Sequence, residues 1–457
     1  MKVMVDGFNL ALAQGTGVAT YARNLTHNLK ALGHEVHVIY GMNAAQDHSA
    51  VMREIGFYDE PGGARRFESV RRVSDLISPL FRPVTAYQIP VSGLVINREF
   101  APKMPSFDKL WNAPKLFDRA HRTFGYFRRW SSVNPASPIQ IMHWTYPLPL
   151  RLNGAKNVYT LHDLVPLRLP YTTLDNKRFY LKLMTAIARK SDHIVTVSET
   201  SKQDIMALLK VPESKVTNTY QAVDIPSSYL DRSIEELKGE LKGSFGLQYK
   251  NYLLCYGAIE PKKNVGRIIE AYLAGNVGKP LVIAGSTGWK SDQELRLLSG
   301  VEGERLLKRR TIIRLPYLSF VQLVNLIRGA TAVLFPSLYE GFGLPILEGM
   351  MCGTPVITSN LGSMKEIAGD AALLVDPYNT RDIKEAIMAL VSNSPLQSEK
   401  SALGYKVAAC YSNERYRDRL KSLYETIAGC SEDARFADTT SAKKVDVPGR
   451  SRELESS

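Results

Sequence analysis

Residues 332–348 have the sequence Ala-Val-Leu-Phe-Pro-Ser-Leu-Tyr-Glu-Gly-Phe-Gly-Leu-Pro-Ile-Leu-Glu, and this stretch decides the fold. The apolar run 332–335 predicts a buried strand, Gly341 and Gly343 predict a loop, and Pro345 suits the first turn of a helix. The free amides and positive dipole end of such a helix favour a phosphate, and glycines would let the backbone approach a ligand closely. The stretch therefore predicts a phosphate-binding strand–loop–helix unit.

Two carboxylates, Glu340 and Glu348, bracket this loop. Carboxylates are poor partners for phosphate but good acceptors for hydroxyl groups. Backbone amides beside two carboxylates suit a nucleotide sugar, with the diphosphate on the amides and the hydroxyls of the ribose and the sugar on the acids. The alternative is that both glutamates are ordinary surface acids.

Strand and helix patterns alternate on both sides of this unit. Val3–Val5 and Glu35–Tyr40 predict strands around a helix at Ala19–Leu32, and Ser198 is a suitable N-cap for a helix over Glu199–Leu209. Such βαβ patterns predict parallel sheets with right-handed crossovers. We expect an α/β fold of two Rossmann-like, doubly wound domains that face a central cleft, where ligands bind at the carboxyl ends of strands.

The predicted domain boundaries follow from shifts in composition. They are an N-terminal Rossmann-like acceptor domain (1–223, including a basic, aromatic-containing segment 61–130), a linker (224–245), a C-terminal nucleotide-sugar-binding domain (246–403), a helical segment (404–430) and a disordered polar tail (431–457).

The chain carries a formal net charge of +13, which favours anionic partners. Segment 61–130 holds 13 Lys and Arg against 5 Asp and Glu, with aromatic residues interleaved. It is either a solvated helix pair whose aromatics pack inward or a surface that faces anionic lipid. We see no reading helix or RNA-binding motif, so nucleic acid is not an expected partner.

Four widely spaced cysteines, no long apolar run and no signal-peptide pattern predict a cytoplasmic protein, at most peripheral on the inner face of the membrane. No Asp-x-Asp pair is present to hold a metal on a diphosphate, and we expect neither metal nor cofactor.

A second strand–turn–helix, Gly257-Ala-Ile-Glu-Pro-Lys-Lys-Asn264, places two lysines where they would neutralise a diphosphate leaving group. The stretches Gly15-Thr16-Gly17 and Thr160-Leu-His162-Asp163 also follow predicted strands. Gly15-Thr16-Gly17 is not the GxGxxG of a dinucleotide-binding dehydrogenase.

Together these motifs resemble the retaining GT-B glycosyltransferases of family 4 (glycosyl transferases group 1), and mannosyltransferases in particular. Glu340-x7-Glu348 is similar to the EX7E motif of that family, and the likeness spans roughly residues 1–430, weakly over 45–135. Position 262 is often Arg in the family and is Lys here, so a bidentate phosphate contact is lost.

The resemblance implies a metal-independent, retaining hexosyltransferase with site residues in three groups. It implies catalytic roles for His162, Lys263 and Glu340. It implies a donor site formed by Gly15, Gly17, Lys262, Asn264, Gly341, Phe342, Gly343, Leu344 and Glu348. On the acceptor side His143 and Asp163 are candidates, although Asp163 suits a loop-bracing role better.

The implied donor is GDP-mannose, and the implied acceptor is a saccharide or a polyprenyl-diphosphate-linked oligosaccharide in bacterial surface polysaccharide synthesis. Glucosyl or rhamnosyl transfer from a UDP- or dTDP-sugar stays open, as does a GT-B-type sugar-nucleotide epimerase, which would form product without an acceptor.

Overall fold

Alternating strands and helices build two parallel sheets in the computed structural model, which describes residues 1–11, 17–44, 47–59, 83–96, 104–135 and 137–439. The strands are β1 (Lys2–Asp6), β2 (Glu35–Tyr40), β3 (Val84–Thr85), β4 (Tyr87–Ile89), β5 (Lys109–Asn112), β6 (Ser131–Asn134), β7 (Ile141–Trp144), β8 (Leu150–Leu152), β9 (Lys156–Thr160), β10 (His193–Thr196), β11 (Val216–Asn218), β12 (Leu253–Tyr256), β13 (Leu281–Ala284), β14 (Ile312–Leu315), β15 (Ala332–Phe335), β16 (Val356–Ser359) and β17 (Leu373–Val375).

The helices alternate with these strands. They are α1 (Gly17–Ala31), α2 (Ala50–Tyr58), α3 (Leu116–Phe127), α4 (Val165–Arg168), α5 (Lys177–Lys190), α6 (Glu199–Leu209), α7 (Ser227–Leu230), α8 (Ile234–Glu240), α9 (Val265–Gly275), α10 (Ser291–Glu294), α11 (Gly300–Lys308), α12 (Phe320–Gly329), α13 (Leu344–Met351), α14 (Gly362–Ala368), α15 (Thr380–Ser392), α16 (Ser394–Ala409) and α17 (Asn413–Thr439).

The N-terminal half is an eight-stranded sheet in the order β11-β10-β9-β7-β1-β2-β5-β4, parallel except for β4, which runs antiparallel to β5. The C-terminal half is an all-parallel six-stranded sheet in the order β14-β13-β12-β15-β16-β17. A small sheet, β3-β6-β8, flanks the first. The α/β class with two doubly wound halves is therefore confirmed.

Strand order changes direction once in each half, and this positions the site. The chain runs outward from β12 to β14 and then returns to place β15 beside β12. Because both strands are parallel, the loops that leave their carboxyl ends open side by side at the switch point, where ligands bind in such sheets. In the N-terminal half, the loops after β1, β7 and β9 meet in the same way.

The predicted linker is largely helical. Segment 224–245 contains α7 and α8, and α8 begins with a capping box between Ser233 and Glu236. Arg328 of the C-terminal half donates to the backbone carbonyls of Tyr229 and Arg232, at 3.0 and 2.9 Å, and so holds this segment against that half.

The last helix, α17, returns to the N-terminal half. Asn28 of α1 donates its side-chain amide to Asn413 at 2.8 Å, and Arg419 donates to the carbonyl of Thr219 at 2.7 Å. Tyr424 is fully buried. Helix α17 extends through the first residues of the predicted tail, and residues 440–457 lie outside the described residues, as do 61–82 and 97–103 of the basic segment.

Candidate active site between the two halves

Three charged residues meet where the loops after β12 and β15 lie side by side. Lys262 and Lys263 belong to the short 3-10 turn Pro261–Lys263, and Glu340 belongs to the loop before α13. The Nζ of Lys263 lies 2.7 Å from one carboxylate oxygen of Glu340, and the Nζ of Lys262 lies 3.3 Å from the other. The sequence predicted these residues separately, and the fold pairs them.

The charges in this cluster hold one another in the ionised form. Burial alone would raise the pKa of Glu340, but Lys262 and Lys263 lower it below its usual value. Burial alone would lower the pKa of Lys262, but the carboxylates of Glu340, Asp163 and Glu260 raise it. Glu340 is only 8% exposed. The result is a buried, charged cluster that faces the other half of the protein.

Glu348 lies on the second turn of α13 and has one strong partner. The hydroxyl of Tyr256, the last residue of β12, donates to its carboxylate at 2.7 Å. Burial raises the pKa of Glu348, and the bond from Tyr256 offsets part of that rise. The Nζ of Lys263 also lies 4.6 Å from the centre of the Phe335 ring, where the cation–π attraction is favourable.

Protein atoms lie close to both glycines of the 340–343 loop. A Cβ on Gly341 would lie 2.5 Å from the backbone oxygen of His162 in the N-terminal half. A Cβ on Gly343 would lie 2.9 Å from the Ile346 side chain, and Gly343 has φ +111°, in the left-handed region. The absence of a Cβ at Gly341 therefore lets the 340–343 loop contact the loop after β9 in the other half.

His162 faces this contact as a neutral imidazole. Its Nε2 lies 3.0 Å from the backbone oxygen of Thr145 and must donate to it, because a carbonyl only accepts. Burial lowers the pKa of His162. The other ring nitrogen, Nδ1, is then left as an acceptor. The ring also packs edge-on against Tyr21, with centroids 4.8 Å apart.

Asp163 braces the loop that follows His162. Its carboxylate accepts the backbone N–H of Val165 at 3.0 Å, at the start of α4. This is the local role that the sequence favoured. Its charge also reaches Lys262, so it contributes to the field around the lysines.

His143 does not line an acceptor pocket, and that prediction is corrected. It lies within β7 and is fully buried, and burial lowers its pKa to about 3. Its Nδ1 is 2.5 Å from the hydroxyl of Tyr424, and its Nε2 is 2.7 Å from that of Thr160. Both ring nitrogens are therefore engaged, Nδ1 with α17 and Nε2 within the N-terminal sheet.

Asn264 has a bracing geometry in place of the predicted donor contact. Its side-chain amide donates to the carbonyls of Pro336 and Pro377, at 3.0 and 2.7 Å, and its oxygen accepts from Arg267 at 2.9 Å. Every polar atom of the side chain is engaged. Asn264 ties the lysine turn to the two neighbouring loops and so fixes the position of the lysines.

The remaining donor-side predictions fall around the N-terminus of α13. Phe342 is buried against Tyr411, with ring centroids 5.7 Å apart, so its side chain serves the core. Leu344 begins α13 and approaches Gly17, the first residue of α1, because a Cβ there would lie 3.7 Å from its side chain. Two helix N-termini thus converge across the cleft. Gly15 lies outside the described residues.

Sequence reasoning missed three residues that shape this cluster. Tyr256 orients Glu348, Glu260 lies 3.7 Å from Lys262, and Ser363 donates to the backbone oxygen of Glu340 at 2.7 Å. The position of Tyr256 at the carboxyl end of a buried strand was an available signal. Nothing local marked Ser363, which belongs to α14.

Further contacts close the seam between the halves. The carboxylate of Glu366 accepts the backbone N–H groups of Glu199 and Thr200, at 2.8 and 3.0 Å, at the N-terminus of α6. The Tyr339 hydroxyl bonds to Asp204. A carboxylate at a helix N-terminus is stabilised by the free amides and the helix dipole. The conformation described is therefore one in which the cleft is closed.

Within the described ranges, no three His, Cys, Asp or Glu side chains are grouped to hold a metal ion. No helix of that part of the chain is both long and apolar enough to cross a membrane.

Comparisons with known proteins agree with this architecture. Residues 15–226 match the profile of the family described as Glycosyltransferase Family 4, and residues 239–407 match that of Glycosyl transferases group 1. The chain is 32% identical to O-antigen chain mannosyltransferase B of Escherichia coli over 285 residues, which cover 61% of this chain and 72% of that protein.

The chain is also 28% identical to the serotype-specific mannosyltransferase WbdA of Escherichia coli over 318 residues, covering 66% of this chain and 38% of WbdA, so it spans well under half of that protein. Among solved structures, it resembles sucrose-phosphate synthase from Thermosynechococcus elongatus with a TM-score of 0.63 and 16% identity, over 94% of this chain and 99% of that one. At that identity the likeness concerns the fold.

Proposed function

As a member of glycosyltransferase family 4, this chain transfers sugars to a saccharide acceptor, and we propose that the sugar is mannose, supplied as GDP-mannose. The acceptor in this proposal is a saccharide or a polyprenyl-diphosphate-linked oligosaccharide in surface polysaccharide synthesis. The printed names of two relatives, O-antigen chain mannosyltransferase B and WbdA, support mannose.

The observation that carries the proposal is the pairing of Glu340 with Lys262 and Lys263 in the cleft. A diphosphate that enters beside the lysines offers them a stronger anionic partner than one carboxylate does. Glu340 is then released to accept hydroxyl groups of the donor sugar. One cluster thus exchanges its internal ion pairs for contacts to both ends of a nucleotide sugar.

The proposed reaction retains the anomeric configuration and needs no metal. The bond between the sugar C1 and the phosphate oxygen breaks as the acceptor oxygen forms its bond to C1 on the same face, and the departing phosphate oxygen takes the acceptor proton. Lys262, Lys263 and the α13 amides stabilise the charge that develops on the diphosphate. Glu348, oriented by Tyr256, binds the ribose hydroxyls.

His162 has a polar role toward the donor sugar in this scheme. Since Nε2–H is committed to the Thr145 carbonyl, Nδ1 can accept a hydroxyl proton of the donor sugar. The neutral form that burial favours is the form that accepts. The hydrogen bond to Thr145 keeps His162 in the tautomer that carries its proton on Nε2.

The test is substitution of the cluster. We expect Glu340→Ala and Lys263→Ala each to lower turnover at least about tenfold, because each loses more than about 1.4 kcal/mol of transition-state stabilisation. Release of GDP from GDP-mannose in the presence of a mannoside acceptor measures the rate. Lys308→Ala, an exposed lysine paired with Glu304 on α11, is the matched control. Near-normal rates in both cluster variants would contradict the assignment.

The donor is tested separately. A thermal-shift screen with GDP-, UDP-, dTDP- and ADP-sugars identifies the nucleotide, since a ligand that binds only the folded state raises the melting temperature. We expect the largest shift with GDP-mannose. A larger shift with a UDP- or dTDP-sugar would reassign the donor and leave the glycosyltransferase assignment standing.

We also propose that the basic face of the N-terminal half lies on an anionic membrane surface, on the cytoplasmic side, where a lipid-linked acceptor would be found. The C-terminal end of α3 exposes Tyr126 and Phe127 directly before Arg128 and Arg129. Aromatic rings beside arginines suit the headgroup region. Flotation with anionic liposomes at low salt should carry the protein upward, and no flotation there would remove this proposal.

A further inference from the structure

Three half-exposed aromatic residues, Tyr171, Trp289 and Tyr378, surround the loop that carries the paired lysines. Trp289 follows Gly288, whose N–H donates to the carbonyl of Ile259 at 3.0 Å. On the other side, the amide of Asn264 donates to the carbonyl of Pro377, the residue before Tyr378. The residues that precede Trp289 and Tyr378 are therefore hydrogen-bonded to the two ends of segment 259–264.

Tyr171 completes the set from the opposite half. Lys290 donates to the backbone carbonyl of Tyr171 at 2.7 Å, and the hydroxyl of Tyr171 lies close to that of Tyr378. The indole N–H of Trp289 donates to the carbonyl of Thr172 at 2.7 Å. The three rings thus come together across the seam, and closure of the cleft assembles them.

These contacts use the polar edges of the rings and leave other ring surface uncovered. Trp289 is 41% exposed, Tyr378 47% and Tyr171 57%. The guanidinium of Arg267 lies 5.5 Å from the centre of the Tyr378 ring, which limits the movement of that side chain. Rings that are fixed in place and exposed in part can bind a ligand at little cost in side-chain entropy.

We infer that Tyr171, Trp289 and Tyr378, the aromatic rim, form a binding surface for the saccharide chain of the acceptor beyond the sugar that reacts. Pyranose rings present C–H groups on one face and hydroxyls at the edge. Aromatic side chains match that pattern, because the ring face is apolar and the Tyr O–H and Trp N–H are polar. The inference rests on the proposed function, and it adds that the enzyme recognises an oligosaccharide rather than a single sugar.

The location supports a saccharide over other occupants. The loops that carry Trp289 and Tyr378 contact segment 259–264, so a chain that lies on the rim lies beside the loop of Lys262 and Lys263. The rim is also shared by both halves, so a bound chain favours the closed cleft in which the rim exists.

The test uses paired substitutions that separate ring stacking from seam closure. Trp289→Phe keeps an aromatic face and loses the N–H bond to Thr172, whereas Trp289→Leu loses both. The probes are methyl α-mannoside and α-linked mannopentaose. Direct binding is followed by tryptophan fluorescence, because Trp289 is the most exposed of the four tryptophans. Tyr405→Leu, an exposed aromatic on α16, is the control.

We expect Trp289→Leu to raise KM for mannopentaose about fivefold or more, with the values for methyl mannoside and GDP-mannose near those of the unaltered protein, and Trp289→Phe to retain most of the affinity. Equal losses in the Phe and Leu variants would assign Trp289 to the seam alone and overturn the inference. So would the absence of any fluorescence change on adding mannopentaose to the unaltered protein. Mannopentaose binding without sugar transfer would instead refute the proposed function and leave the rim intact.

Discussion

Replacement of Glu340 by Gln tests the charge cluster most directly, because it removes one charge and almost no volume. Both lysine ammonium groups then lose their carboxylate, at 2.7 Å for Lys263 and 3.3 Å for Lys262. Removing one member of a buried ion pair costs about 3–5 kcal/mol. Lys262 keeps Glu260 at 3.7 Å, so we expect the free energy of unfolding to fall by about 3 kcal/mol. This corresponds to a fall in Tm of roughly 6–12 °C for a half of this size.

The same change lowers stability but does not weaken binding of the product GDP. With Glu340 neutral, the two lysines no longer exchange a carboxylate for the diphosphate, so the GDP dissociation constant stays unchanged or falls while sugar transfer drops at least about tenfold. Calorimetric titration with GDP and a thermal melt measure the two quantities. Glu348→Gln is the control, because Glu348 bonds Tyr256 and no lysine, and we expect it to weaken GDP binding instead.

One result would refute this reasoning. If Glu340→Gln melts at the temperature of the unaltered protein and binds GDP more weakly, then Glu340 is not the counter-charge of the lysines in the free enzyme. The exchange of ion pairs described for donor binding would then be wrong.

Three more predictions concern the frame around the site. The pKa of His143, which burial lowers to about 3, lies below its unfolded value of 6.5, so its stabilising contribution is present above pH 6.5 and is lost as the pH falls towards 3. At pH 5 the lost free energy of unfolding amounts to about 2 kcal/mol. Urea unfolding should therefore show a smaller loss of stability between pH 7.5 and 5 in His143→Gln than in the unaltered protein, and equal losses would contradict the prediction. Gly341→Ala places a Cβ 2.5 Å from the His162 oxygen, so we expect lower turnover and a larger radius of gyration by X-ray scattering, and an unchanged radius would count against it. Glu366→Gln removes the charge that caps α6 and should lower the unfolding free energy by about 1 kcal/mol, whereas an unchanged urea midpoint would show that the cap is solvated.

Local features were predictable from sequence where the interacting residues lie close together in the chain. Helix α6 begins and ends where it was predicted, at Glu199 and Leu209, and Ser198 accepts the N–H of Ser201 as its N-cap. The strand and helix around Glu340 were also predicted correctly, because an apolar run, two glycines and a proline act within a few residues.

The failures concern partners that are distant in sequence. His143 resembled a site residue, but its partner Tyr424 lies 281 positions away on α17. At Gly341 the sequence indicates close approach to the backbone, and only the arrangement of the halves shows that the backbone of His162 is one of the neighbours. A glycine in a sequence indicates that a Cβ is absent and gives no information about what fills the gap.

The return of α17 to the N-terminal half has a consequence for cutting this protein into pieces. A fragment that stops at residue 223 would lack the helix whose Tyr424 satisfies the buried ring of His143, and whose Arg419 holds the carbonyl of Thr219. Such a fragment would expose the apolar face that α17 covers. The buried imidazole of His143 would also lose its hydrogen-bond partner. The polypeptide therefore passes between the halves twice, and the N-terminal half contains residues from both sides of the C-terminal half in the sequence.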